Sequence, residues 1–238
     1  MGPTSRFFHR CIIRSILFSG LCAGGVPALA ETPSEAGQKI AASGADGVIA
    51  CVTCHGAKGE GMAAAGFPYL AGQGAAYLAL QLQDFARDER ANPVMAPIAK
   101  SLNPDQLEAV SAYYSQLPAP FNASALSNHL DTYPDKEAVG AWLANRGDWA
   151  NDIPACIQCH GPGGVGVGEY FPAIAGQPAN YIREQLLAWK QKARAPGPLE
   201  LMGAIANRMN DAQITAVADY FAALPKSVQQ VPAQQGAK

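Results

Sequence analysis

Two short strings in this chain bring together the residue types that hold metal centres: CVTCH from Cys51 to His55 and CIQCH from Cys156 to His160. Two thiols three residues apart, on one turn at a helix end, can each form a thioether to a haem vinyl group. The adjacent His is then carried beneath the iron, and this spacing is the attachment signature for c-type haem. With six Cys and four His in 238 residues, chance would supply roughly 0.003 such strings, so two of them require a chemical reason. A Cys₄ zinc site is the first competitor, but its pairs lie within tens of residues of each other, and here Cys54 and Cys156 are 102 apart. Disulfides or thioredoxin-like redox pairs are the second. Neither string sits in a strand–helix–strand pattern, and both end in His.

An iron held by one His leaves a coordination position that a thioether sulfur can close, raising the reduction potential. Met95 and Met202 follow their His by 40 and 42 residues and are expected to be that ligand, each in a loop rich in Pro, Ala and Gly. Their equivalence comes from an internal repeat. Phe67-Pro68, Ala71-Gly72-Gln73, Tyr77, Gln81-Leu82 and Arg90 recur 104 residues later as Phe171-Pro172, Ala175-Gly176-Gln177, Tyr181, Gln185-Leu186 and Arg194. After a three-residue insertion, Met95, Ile98-Ala99, Asn103, Gln106, Tyr113 and Leu117-Pro118 recur 107 residues later. Met62 and Met209 have no Met at the matching place. A diheme peroxidase would need an iron that opens readily, and two matched Met argue against it; an electron-transfer protein, not an enzyme, is expected.

Residues 1–30 read as a cleavable secretory signal. Arg6, Arg10 and Arg14 form a basic start, Ile16 to Val26 an apolar run, and Ala28-Leu29-Ala30 a cleavage site before Glu31. The run is too short to span a bilayer comfortably, and Leu21 before Cys22 does not suit a lipoprotein signal. Removing this segment takes three Arg and no acid, leaving 14 basic against 19 acidic residues, a net charge of −5. That excludes nucleic acid as a partner and restricts membrane contact to the periphery. The expected location is the periplasm.

The elements that must position these groups are helices. A short helix should enter each string, over Ala36 to Ala42 and Lys136 to Asn145. A middle helix beginning near Ala75 or Ala179 puts Tyr77, Gln81 and Phe85, or Tyr181, Gln185 and Trp189, on one face. Asn103 and Asn210, with Gln106 and Gln213 three residues on, cap a last helix. Its apolar stripe is Leu107, Val110, Tyr113 and Leu117, or Ile214, Val217, Tyr220 and Leu224, and Pro118 or Pro225 should end it. No alternating strand pattern of useful length occurs, so the class is all-α. The expected division is a first domain over 31–118, a linker over 119–134, a second domain over 135–225 and a disordered tail over 226–238. The halves should be separable near Leu126. His129, in the linker, is expected at the surface without chemistry.

The motifs CVTCHGAKGEG, FPYLAGQ and NPVMAPIA, matched by CIQCHGPGGVG, FPAIAGQ and LELMGAIA, resemble class I c-type cytochromes, and especially the diheme cytochrome c4 family, over roughly residues 34–225. The resemblance implies two tandem cytochrome c domains related by a pseudo-twofold axis, each with one haem c. It implies covalent attachment through Cys51, Cys54, Cys156 and Cys159, and iron ligation by His55 with Met95 and His160 with Met202. It implies that Pro68 and Pro172 offer a backbone carbonyl to the axial His, and that Arg90 and Arg194 lie near haem propionates, the competing reading being solvated helix ends. The function it implies is one-electron shuttling between redox proteins, such as a quinol–cytochrome c reductase-like donor and a terminal oxidase or dehydrogenase. The alternative is a haem subunit dedicated to a periplasmic dehydrogenase of the alcohol, sulfite or thiosulfate type.

Overall fold

The computed structural model describes residues 32–129, 134–195 and 197–230, so the expected signal segment and residues 231–238 lie outside the described residues. Among the described residues all regular structure is helical, with only isolated bridges in place of strands. The first half contains α1 (Pro33–Ser43), α2 (Val52–His55), α3 (Ala75–Ala86), α4 (Met95–Ser101) and α5 (Pro104–Gln116). A short helix, α6 (Ala123–Asn128), follows. The same order then returns as α7 (Val139–Asn145), α8 (Ile157–His160), α9 (Ala179–Lys190), α10 (Leu201–Arg208) and α11 (Asp211–Gln230).

Local chemistry sets the helix starts. At α1 the Thr32 side chain accepts from the Glu35 N–H and the Glu35 carboxylate accepts from the Thr32 N–H, so the helix begins three residues before the expected Ala36. At α7 the start is later than expected, because Asp135 accepts from the Glu137 N–H and holds that stretch as a turn. The last helices carry the expected reciprocal caps: Asn103 with Gln106, and Asn210 with Gln213.

Three expectations are corrected. Pro118 lies just beyond α5, but Pro225 is inside α11, which continues to Gln230 through part of the expected tail. A proline leaves one carbonyl a turn earlier without its helical donor; for Pro225 that carbonyl is Phe221 O, and it accepts instead from the Gly176 N–H at 2.8 Å. In the first half the Tyr114 carbonyl likewise accepts from the Gly72 N–H, yet the chain leaves the helix at Leu117, directly before Pro118. The expected linker holds α6, whose Asn122 side chain accepts from the Ala125 N–H. Its Leu126 is buried in the core of the second half, so this stretch packs with that half. Finally, the deepest aromatic residues on the last helices are Tyr114 and Phe221, whereas Tyr113 and Tyr220 are only partly buried. Each last helix is covered on two sides, so its buried arc is wider than a single stripe.

The first and last helices of each half cross at a glycine. A Cβ on Gly37 of α1 would collide with the Ala109 carbonyl of α5, and one on Gly140 of α7 with the Ala216 carbonyl of α11. The obstacle is backbone, which cannot rotate away. Gly37→Ala and Gly140→Ala should each cost about 1–3 kcal/mol through overpacking, read as a lower denaturant midpoint. An unchanged midpoint would mean the helices separate without cost.

Candidate functional site

Each attachment string occupies one helical turn. Cys51 and Cys156 stand just before α2 and α8, and the His55 and His160 N–H groups close the turn on the Cys51 and Cys156 carbonyls at 3.0 Å. The chain must then leave at once. Gly56 and Gly161 do this at φ 84° and 79°, a region where other residues are strained. The four cysteines are unpaired. Burial pushes the Cys51 thiol up and that of Cys156 to about 12, so neither ionises readily. Among the described residues no three His, Cys, Asp or Glu side chains come together as a group that could hold a metal ion.

The imidazoles are buried, 7% exposed at His55 and 8% at His160. Nδ1 of His55 donates to the Pro68 carbonyl at 2.9 Å, and Nδ1 of His160 to the Pro172 carbonyl at 2.7 Å. A carbonyl can only accept, so the Nδ1 proton is fixed and each Nε2 keeps its lone pair. Burial pushes both imidazoles below their ordinary pKa, and the carbonyl bond opposes this only in part. Both are therefore neutral, the form that ligates a metal.

Met95 and Met202 stand in the first turns of α4 and α10 rather than in loops. Asn92 explains the first case, because its side-chain oxygen accepts from the Val94 and Met95 N–H groups and starts the helix. Before Met202, the inserted segment places Leu199 and Glu200 at φ 58° and 55°, a strained route into α10. Both Met are partly buried, and Met202 packs against the second core. Met62 is exposed at a turn, whereas Met209 is enclosed in the core.

Arg90 and Arg194 are not solvated helix ends. They meet at the seam between the halves, 5% and 7% exposed, where residues 90 and 194 also pair as an isolated antiparallel bridge. Arg90 donates to Gln81 in its own half at 2.9 Å, and to Gln185 and Tyr181 across the seam at 2.7 and 3.0 Å. Arg194 donates to Gln185 at 3.0 Å and across the seam to Gln81 at 2.6 Å. The guanidinium of Arg90 lies over Phe85, and that of Arg194 over Trp189. Burial and the charge of Arg90 lower the pKa of Arg194. Among the described residues the hydrogen-bond partners of both guanidiniums are Gln and Tyr side chains, so two buried cations share neutral partners.

Further along the seam, Gln73 donates to the Ala173 carbonyl and accepts from the Ala173 N–H, both at 2.9 Å. Gln177 does the same to Tyr69, at 3.0 and 3.2 Å. Sequence reasoning missed the seam role of Gln73, Gln177, Gln81 and Gln185. Their signal was a repeated amide on an otherwise apolar pattern, which marks a buried polar position but not its partner.

The donor set fits haem c. Unpaired thiol pairs suit the vinyl groups, a neutral imidazole with a free Nε2 suits the iron, and two buried guanidiniums suit anionic propionates. A further sign lies in the first half, where the buried Tyr114 hydroxyl has no nitrogen or oxygen hydrogen-bond partner among the described residues.

The cytochrome c family model matches residues 34–118 and 150–225. The chain is 48% identical over 188 residues to a thiosulfate dehydrogenase electron acceptor from Stutzerimonas stutzeri, covering 78% of this chain and 85% of the relative. Among solved structures it resembles a thiosulfate dehydrogenase (TsdBA) from Marichromatium purpuratum, with a TM-score of 0.70 and 44% identity. That match covers 80% of this chain but spans only 40% of the length of the other. It also resembles reduced recombinant cytochrome c4 from Pseudomonas stutzeri, with a TM-score of 0.65 and 30% identity, covering 79% of this chain and 97% of the other.

Proposed function

Since the chain belongs to the cytochrome c family, as a diheme electron carrier of the cytochrome c4 kind, we propose that it is exported to the periplasm and accepts electrons from a thiosulfate-oxidising dehydrogenase. It makes and breaks no substrate bonds of its own. Cys51 and Cys54 anchor one haem, and Cys156 and Cys159 the other. His55 with Met95, and His160 with Met202, close the axial positions. Bound there, each haem c supplies reversible one-electron chemistry at its iron.

The protein's own part is to hold those groups still and dry. The Pro68 and Pro172 carbonyls fix the two imidazole rings, which limits movement on electron transfer. Arg90 and Arg194 draw the propionates toward the seam, so that both haems share one buried cationic region. The observation that carries the carrier reading is the pair of complete strings, each with a buried His committed at Nδ1. What favours the dehydrogenase as donor is the similarity, over 78% and 74% of this chain, to two electron acceptors of that enzyme.

Mass spectrometry of the exported protein should give a chain beginning at Glu31 plus two haem masses. One haem, or none after acid–acetone extraction, would refute the carrier reading. Mixing the oxidised protein with thiosulfate dehydrogenase and thiosulfate should then reduce both haems within enzyme turnover. Reduction no faster than by thiosulfate alone would remove the proposed donor and leave a general shuttle.

A further inference from the structure

We propose that the Tyr114 hydroxyl sets the reduction potential of the first haem apart from that of the second, by donating a hydrogen bond to the Cys51 sulfur once that sulfur is a thioether. The inference rests on the two-haem reading above.

Tyr114 lies on α5 and is only 3% exposed, and among the described residues its hydroxyl has no nitrogen or oxygen partner. Such a group costs free energy unless something in the finished molecule accepts from it. Tyr114 belongs to the same apolar cluster as Cys51; burial, and then the charge an ionised Cys51 would carry and a hydrogen bond between the two side chains, push the Tyr114 hydroxyl pKa up. Haem attachment changes that sulfur. The thiol adds across a vinyl group, forming a C–S bond while its proton passes to the other vinyl carbon, with no net oxidation or reduction. A thioether has no proton to give, so the hydroxyl must be the donor.

The second half provides an internal control. Phe221 occupies the seat of Tyr114 at the offset of 107. A Cβ on Gly59 would touch the Tyr114 ring at 2.8 Å, and one on Gly164 would touch the Phe221 ring at 2.8 Å. The Tyr114 carbonyl accepts from Gly72 and the Phe221 carbonyl from Gly176. With the same seat, ring and backbone bond, the two positions differ by one oxygen. A donor aimed at a sulfur joined to the macrocycle withdraws electron density and stabilises the reduced state, and in a buried site that dipole is poorly screened. The first haem is therefore held at a higher potential than it would have with Phe at position 114.

The test is an optical redox titration of purified holoprotein as wild type, Tyr114→Phe and Phe221→Tyr, each first checked for two haem masses. Tyr114→Phe should lower the reduction equilibrium constant of one haem by roughly three- to tenfold, tenfold being 59 mV for a one-electron couple, and leave the other in place. Phe221→Tyr should raise the constant of the other haem by a similar factor. Unmoved potentials in Tyr114→Phe, a rise there, or both variants moving the same haem would overturn the proposal. Should Tyr114→Phe fail to mature, Phe221→Tyr decides, and no rise overturns it. Missing haem masses in the wild type would instead refute the two-haem reading.

Discussion

Replacing Met95 with Ala should abolish the weak far-red sulfur-to-iron band of one haem and lower that haem's potential by on the order of 100 mV, a modest share of the roughly 0.8 V that axial ligation spans. Met202→Ala should do the same to the other haem. Both residues open the helix that follows their loop and are partly buried, so each sulfur is held on a defined backbone. The competing sulfurs are placed otherwise. Met62 is 41% exposed, and Met62→Ala should leave both bands intact. Met209 is 3% exposed within the second core, and Met209→Ala should cost about 2–5 kcal/mol of stability without removing a band. If Met62→Ala removed a band and Met95→Ala did not, the ligand assignment in the first half would be refuted.

Gln73→Ala should destabilise the protein by about 2–5 kcal/mol, because it strands two buried backbone groups at once. The Ala173 N–H and C=O both bond the Gln73 amide across the seam, and each buried group left unsatisfied costs about 1–3 kcal/mol. Gln177→Ala removes the reciprocal pair at Tyr69 and should cost as much. With both changed, urea unfolding followed by haem absorbance and by helix signal should separate into two transitions, one per half. A midpoint unchanged in both single variants would mean that the seam opens readily to water. Gln73→Glu should not rescue, since a carboxylate keeps the acceptor, loses the donor and adds a buried charge.

How much of this was legible beforehand differs by residue. The two haem c groups could be read from the strings because thiols and an adjacent imidazole at one spacing are a local signature. The capped starts at Asn103 and Asn210 were legible for the same reason, since a capping box spans four residues. Pro225 misled because its orphaned carbonyl finds a donor in Gly176, far away in the chain; the equivalent bond from Gly72 does not carry α5 past Pro118, so such a bond permits the helix to continue without compelling it. Leu126 misled because a Ser- and Asn-rich stretch looks like a linker until one apolar side chain finds a core to enter.

By itself, the sequence determined the all-α class and the presence of two haem c groups, and it displayed the repeat that matches Met95 with Met202, since each depends on residue type and short spacing. Tertiary structure alone decided what the repeated amides and arginines do. Gln73, Gln81 and Arg90 meet Ala173, Gln185, Tyr181 and Arg194 only when the two halves close on each other. A buried polar group draws its energy from a partner of matching geometry, and that partner lies about a hundred residues away. The same holds for the contrast between Tyr114 and Phe221. One oxygen atom is plain in the sequence, but its burial in the cluster that holds Cys51, with no nitrogen or oxygen partner among the described residues, is a property of the packed helices.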